Sequence, residues 1–555
     1  MLRLRAQALH CEGQLKPLPA VPAVPATVLR SRFRRCSLGA FTALAALPLL
    51  LGARPLRADT YTVSDSNWGT SATPNSFAWA LAQANANLGR DTISITPGLP
   101  INVDAAAATG GWLATISDNL TIQGNGATLV GNPSFMSSAG TLYTKTNVDT
   151  FRPDPLGTDI LIQEAFSFGK LASGVSLTIQ ALNSDGLNGF LQLGEGSTAS
   201  LSGTTARNSV SYGAEPRSVF EAKADSTLYL SQVVLQNINP ALDSIGSAWS
   251  GAISGVNATL NMVRSSISQA AAAAGAVVWS GGVANVVSSL ISDSGGLSVS
   301  DDTKEGVMNL VNSLVSVAAQ DSDIQRLQAF AGGELNITAS SILQDALDNS
   351  YNSCSTDPYA CAGKPLTAFD GGTITLKQSY VSLINALVPG LIPTGVPSYS
   401  NALFGPSNAG SLVALDSAWL QTTPNQSAAD LQSLFGNASL LTSGIPLTLE
   451  DSAGVSAYYP WPAGAYPNPD GPLIDQISDA NGANQLINPI DLSPILLDVF
   501  GNPRSRNGLR TIGAVEPARA PAPLPLVGAT AALAWSRRLR RRLQNGRSQA
   551  LGLQA

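Results

Sequence analysis

A short unit of two apolar residues around one polar residue recurs through the middle of this chain, at intervals that few architectures accommodate. It reads Leu177-Thr178-Ile179, Leu228-Tyr229-Leu230, Leu260-Asn261-Met262, Leu335-Asn336-Ile337 and Ile374-Thr375-Leu376 within Ser176 to Leu383. Alternation over so few residues specifies short, half-buried strands. A second anchor, a serine followed by an apolar residue, recurs at Ser266-Ile267, Ser289-Leu290, Ser313-Leu314, Ser341-Ile342 and Ser379-Tyr380, with spacings of 23, 24, 28 and 38. Strands repeating about every two dozen residues, with extra length placed in turns, are what stacked coils require, because each coil buries its inward face against its neighbours.

The spacing therefore predicts an all-β chain, a right-handed parallel β-helix. A leucine-rich repeat has a similar period, but its Leu and Asn framework is absent from this sequence. A β-sandwich also uses short strands at regular spacing and stays open as the alternative. Pairs such as Asn125-Gly126 and Gly371-Gly372 mark corners where positive φ is wanted. An open solenoid end would expose a strand edge. Asn75-Ser76 is placed to cap a short helix running through Phe77, Leu81 and Ala84, which makes an N-terminal lid.

Charge divides the chain into three parts. Of 31 basic and 37 acidic residues, nine basic residues and Glu12 lie in 1–58 and seven arginines in 517–555, so residues 59–516 hold 15 basic and 36 acidic residues, a net charge of −21. A body that acidic repels phosphate backbones, and nucleic acid is not an expected partner. Arg30, Arg32, Arg34 and Arg35 precede an apolar run from Leu38 to Leu51 and small residues up to Ala58. That order is the pattern of a secretory signal peptide, so residues 1–58 read as leader. Residues 59–516 read as the β-helix body, with a closing segment from about residue 440 expected to cover the last coil.

The tail from residue 517 to 555 contains Pro521 and Pro523, an apolar stretch to Trp535, and the cluster Arg537, Arg538, Arg540, Arg541 and Arg542. An apolar stretch stopped by arginines resists transfer across a membrane. It resembles the PEP-CTERM class of bacterial sorting signals, with Ala522 standing where that class has Glu. The resemblance implies an exosortase-like enzyme as a partner alongside the export machinery. Cys11 and Cys36 belong to the leader, and Cys354 and Cys361 lie six residues apart beyond it, in a polar loop suited to a local disulfide in an oxidising compartment.

Two further stretches carry a resemblance. Ser76-Phe77-Ala78-Trp79-Ala80-Leu81-Ala82-Gln83-Ala84-Asn85, with Asp91-Thr92-Ile93 and the coil Leu120-Thr121-Ile122-Gln123-Gly124-Asn125-Gly126, is similar to the opening of bacterial surface β-helix proteins of the choice-of-anchor Q and polymorphic outer-membrane-protein type. Gly471-Pro472-Leu473-Ile474-Asp475, Ser493-Pro494-Ile495-Leu496-Leu497-Asp498, Gly501-Asn502-Pro503-Arg504 and Thr511-Ile512-Gly513-Ala514-Val515-Glu516 resemble the terminal segment of the choice-of-anchor Q group. The resemblance implies display at the cell surface or outer membrane, with transient inner-membrane anchoring through the tail, and in some cases adhesion. It implies no particular chemistry.

The single histidine, His10, lies in the leader, so the expected mature chain has no Ser-His-Asp or Cys-His site and no histidine metal ligand. No catalytic, cofactor-binding or metal residues are assigned. Ser167-Phe168-Gly169-Lys170 fits Ser-x-x-Lys without the partner motifs of that chemistry. The compact acidic candidates are Asp301-Asp302 with Glu305, and Asp345 with Asp348; Lys304 and Arg326 are the nearest basic residues. Paired carboxylates are what a glycoside hydrolase needs, and calcium with a basic residue is what a lyase needs, whereas charged turns ordinarily just face water. Calcium is supported by no motif. Tyr458-Tyr459-Pro460-Trp461-Pro462 is suited either to stacking on sugar or to packing over the last coil. The primary expectation is a surface-displayed structural or adhesive protein without evident catalysis, and a surface polysaccharide is its expected ligand. The alternatives are a polysaccharide lyase or glycoside hydrolase, and a carbohydrate- or calcium-binding module without turnover.

Overall fold

Each Leu-x-Ile unit becomes a strand with two apolar side chains inside and its middle residue outside. In the computed structural model these strands pair in parallel with their counterparts one coil away. The structure describes residues 58–87, 89–103, 112–131, 134–136, 142–144, 161–164, 167–187, 189–211, 218–240, 251–270, 275–302, 304–317, 327–345, 366–368, 370–384, 411–415, 419–420, 448–449, 465–466, 477–478, 484–504 and 508–516. The leader, the tail, Cys354, Cys361, Arg326, Asp348 and Tyr458 to Pro462 lie outside the described residues, as does the side chain of Asp345.

Three columns of strands run along the coil axis. The first includes Trp112–Ile116, Ser167–Leu171, Gly189–Leu193 and Phe220–Ala222, and the second includes Leu120–Gln123, Ser176–Gln180, Thr198–Ser202 and Thr227–Ser231. These two columns merge into one 19-stranded sheet because the eleven-residue strands Ile253–Val263 and Val277–Val287 pass through both. The third column is a separate 11-stranded sheet from Pro100–Asn102 to Trp419–Leu420. Parallel pairing throughout both sheets rules out the antiparallel sandwich. Crossovers between parallel strands turn right-handed, and the chain is a right-handed parallel β-helix.

The five Leu-x-Ile units fall at one register in the second column, so Leu177, Leu228, Leu260, Leu335 and Ile374 form a single buried row. The serine anchor needs correcting at two positions. The stacked serines are Ser265, Ser289, Ser313, Ser340 and Ser379, one residue earlier than expected at Ser266 and Ser341. Ser265-Ser266 and Ser340-Ser341 are both doublets, and spacing alone could not choose between their members.

These serines form the corner between the second and third columns. The residue before each, Arg264, Ser288, Asn312, Ala339 or Gln378, has φ between 47° and 51°, and its counterparts Ala181, Gly203 and Gln232 in earlier coils have φ of 49° to 60°. A left-handed residue with a Cβ costs about 1–2 kcal/mol. The serine ladder offsets part of that cost by satisfying the corner's backbone. The N–H of Ser265 donates to Ser289 Oγ at 3.2 Å, that of Ser289 to Ser313 Oγ at 3.1 Å, that of Ser313 to Ser340 Oγ at 3.1 Å and that of Ser340 to Ser379 Oγ at 3.2 Å. Each hydroxyl donates in turn to the carbonyl two residues back, as Ser313 Oγ does to Val311 at 2.9 Å.

The N-terminal lid forms as expected. A helix spans Phe77–Ala86, the Trp79 N–H donates to Ser76 Oγ at its start, and Phe77, Ala80, Leu81 and Ala84 are buried. Phe77 lies between Trp68, stacked at 4.9 Å, and Phe168 at 5.7 Å, and the ring series continues through Phe190 and Phe220. Farther along, Trp279 is fully buried and donates Nε1–H to the Ala258 carbonyl at 3.1 Å. It fills space that Gly255 leaves in the next coil, where a Cβ would lie 2.3 Å from the indole.

Ser313→Ala removes the acceptor for a buried N–H and should cost about 1–3 kcal/mol, read as a lowered midpoint in chemical denaturation. Gly255→Ala drives a methyl into Trp279 and should cost a similar 1–3 kcal/mol or somewhat more. An unchanged midpoint for both would mean that neither the ladder nor the tryptophan holds the coil.

Candidate functional site

A turn between the first and second columns carries the first acidic candidates, whereas Asp345 ends the third-column strand Ser341–Asp345. Asp301, Asp302, Lys304 and Glu305 lie in the turn between Leu297–Ser300 and Gly306–Val311. Asp301 Oδ1 accepts the Gly306 N–H at 2.6 Å, and Asp302 Oδ2 accepts Asn257 Nδ2 at 2.9 Å. The Lys304 ammonium bridges to Asp225, 79 positions earlier, on a half-exposed edge where such pairs contribute little. Asp225 and Asn257 hold φ of 59° and 52°, a conformation that Asp and Asn tolerate better than most residues. The fold thus brings Asp225 and Asn257 to the predicted cluster, and neither is legible from spacing along the chain. Both predicted aspartates are engaged in holding turns. Among the described residues, no group of three or more His, Cys, Asp or Glu side chains is placed to hold a metal ion.

Ser167 and Lys170 share the strand Ser167–Leu171, but Ser167 is fully buried and Lys170 is exposed. The sheet therefore separates the two groups that a serine–lysine mechanism needs together.

The outward side of the second column is a flat polar face. Its central row runs Thr121, Thr178, Ser200, Tyr229, Asn261, Asn285, Asn309, Asn336 and Thr375. The asparagine amides chain together: Asn285 Nδ2 donates to Asn261 Oδ1 and Asn309 Nδ2 to Asn285 Oδ1, each at 2.9 Å, and Asn336 Nδ2 to Asn309 Oδ1 at 3.3 Å. Tyr229 stands exposed in the same row.

The terminal motifs build a strap along the flank of the helix. Within the segment from about residue 440 expected to close the last coil, the described residues 484–504 and 508–516 cross the serine corner. Leu486, Ile490 and Ile495 pack on Val263, Val287 and Val311 of the second column and on the corner residue Ala339, while Ile512, Ala514 and Val515 pack with Leu314 and Tyr380 of the third. Polar bonds fix the docking: Asn312 Nδ2 donates to the Leu497 carbonyl at 2.9 Å, the Gly513 N–H to the Gln378 carbonyl at 3.0 Å, and the Ala514 N–H to Ser341 Oγ at 3.0 Å. One sequence signal marked this surface. Leu290, Leu314 and Tyr380 are apolar residues at outward positions, each followed by an inward Ile or Val.

A buried charged clasp holds the strap to itself. Asp498 Oδ1 accepts the N–H groups of Phe500 at 2.9 Å and Asn502 at 2.7 Å, and its Oδ2 accepts the Glu516 N–H at 2.9 Å. Arg504 donates Nη1–H to the Gly513 carbonyl at 2.6 Å and sets its Nε 3.8 Å from Glu516 Oε1. Thr511 Oγ1 donates to Glu516 Oε2 at 2.6 Å. Burial pushes the Glu516 carboxyl above its ordinary value, against the opposing pull of Arg504 and Thr511. Asp498, Arg504 and Glu516, the charged residues of the family-like motifs, are thus all consumed in fixing the strap.

No family model matches this chain, and no curated protein matches it. Among solved structures, the crystal structure of pectate lyase Pel9A is similar at a TM-score of 0.21 and 14% identity, over 84% of this chain and 98% of that one. The assignment of the β-helix rests on the parallel pairings of this chain alone.

Arg504→Ala leaves the Glu516 carboxylate buried without its partner and should weaken strap docking by about 3–5 kcal/mol, seen as faster hydrogen exchange at the Thr511 and Ala514 amides. The raised Glu516 value also sets a pH dependence. Its protonated form is favoured in the folded state, so its contribution is full below pH 4.5 and is lost as pH rises through the folded value. Protection at Thr511, corrected for intrinsic exchange, should fall across that window, and Glu516→Gln should flatten the profile.

Proposed function

We propose that this chain is a rigid, non-catalytic β-helix scaffold displayed at the cell surface, offering its lateral face for structural or adhesive contact. The observation that carries this reading is the outward face of the second column, an in-register row of Thr, Ser and Asn whose amides bond to one another rather than converge on a cleft. The engagement of Asp301 and Asp302 in turn hydrogen bonds supports it. So do the signal-like leader and the arginine-stopped tail. Tyr229, 40% exposed within the asparagine row, favours one second reading, a face that takes up a surface polysaccharide without turning it over.

The native protein is expected at the cell surface or in the medium, with an intact mass lacking residues 1 to about 58. An unprocessed chain in the cytoplasm would remove the localisation and the display role with it. Incubated with a panel of neutral and acidic polysaccharides, the purified chain should release neither new reducing ends nor unsaturated products. Turnover abolished by Asp301→Asn or Asp302→Asn would establish an enzyme instead. Affinity for a polysaccharide that drops on Tyr229→Ala, without turnover, would select the second reading.

A further inference from the structure

Among the described residues nine large apolar side chains are exposed, and six of them, Ile487, Leu492, Leu496, Leu497, Phe500 and Leu509, belong to the strap. Leu492 is 75% exposed and Leu496 64%. The strap already buries Leu486, Ile490 and Ile495 against the coil, so it is apolar on both sides. A concentration of this kind on one short segment marks a second contact surface.

The clasp ties that outer side to the point where the tail leaves. Asp498 accepts the backbone N–H groups of both Phe500 and Glu516, and the Leu496 carbonyl accepts the backbone N–H of Arg504, whose guanidinium lies beside Glu516. Seven residues, 517–523, then lead to Leu524, where the apolar stretch of the tail begins. A Pro-rich linker of that length reaches about 22 Å at ~3.1 Å per residue. A bilayer entered by the tail therefore lies within reach of Leu496 and Phe500. Arg504 and Arg510 are buried, and the exposed Asp491 has its carboxyl held below the ordinary range by Ser493, so the contact draws on apolar area rather than on attraction to anionic headgroups.

We propose that the outer side of the strap, through Leu492, Leu496 and Phe500, rests in the interfacial layer of the bilayer that the C-terminal tail enters, and so fixes the attitude of the coil to that membrane. This rests on reading the tail as a membrane anchor, within the surface-display function above.

The test is hydroxyl-radical footprinting of the full chain, alone and on phosphatidylcholine vesicles, with flotation of the same samples. Oxidation of Leu492, Leu496 and Phe500 should fall about threefold or more on vesicles, as expected for side chains entering the interface, while Tyr229, Val256 and Val283 stay unchanged. Leu492→Asp with Leu496→Asp replaces two exposed side chains and should leave flotation intact while Phe500 loses its protection. A chain that floats without protection of the strap overturns the proposal and leaves the anchor standing. A chain that does not float removes the anchor reading, and this contact with it. Protection of the same side chains without vesicles, rising with protein concentration, assigns the face to a second copy of the chain and overturns the membrane contact.

Discussion

Parallel register is the constraint from which the rest of this molecule follows. When strands stack about 4.8 Å apart in parallel, every residue sits directly above its counterpart one coil away, so each inward row along the axis must stay apolar. Leu177, Leu228 and Leu260 can share a row because their burial is mutual. Insertions must leave the stack through turns. The 56 residues between Leu120 and Leu177 obey this rule, since the antiparallel strands Ser134–Met136, Leu142–Thr144 and Leu161–Glu164 lie within them and pair outside the coil sheets.

The same register turns isolated hydrogen bonds into ladders. A buried serine at one corner serves only its own loop; five serines stacked at that corner satisfy one another's backbones and make a repeated left-handed residue tolerable. The asparagines of the second column behave alike on the outward side, where Asn285 and Asn309 each give one amide bond and receive another. Polar side chains that read as candidate chemistry in a list of residues thus become elements of structure once they are stacked, and this is the physical basis for favouring a scaffold.

Docking of the strap depends on the corner. Coils up to Ser231 present polar residues beside it, such as Gln180 and Ser202, the next three present Val263, Val287 and Val311, and Thr338 and Lys377 follow in the same row. That change creates an apolar shelf on the flank, and the strap covers it. The clasp of Asp498, Arg504 and Glu516 then fixes the strap up to Glu516, the last described residue, against the body of the coil.

The repeat, its period, the parallel architecture and the capping helix were legible in the order of amino acids, because period-two alternation and a spacing near 24 residues are local properties that every coil states again. Register within a serine doublet was not legible, since Ser265 and Ser266 differ only in which one meets a neighbouring coil. The partnership of Asp302 with Asn257, and of Lys304 with Asp225, was equally hidden, because it joins residues 45 and 79 positions apart through the pitch of the coil. The sequence by itself determined that this chain must stack. Only the tertiary structure decided that Asp498, Arg504 and Glu516 form a clasp and that its strap lies along the side, because a flank exists only after several coils have brought Val263, Val287, Val311 and Ala339 together into one surface.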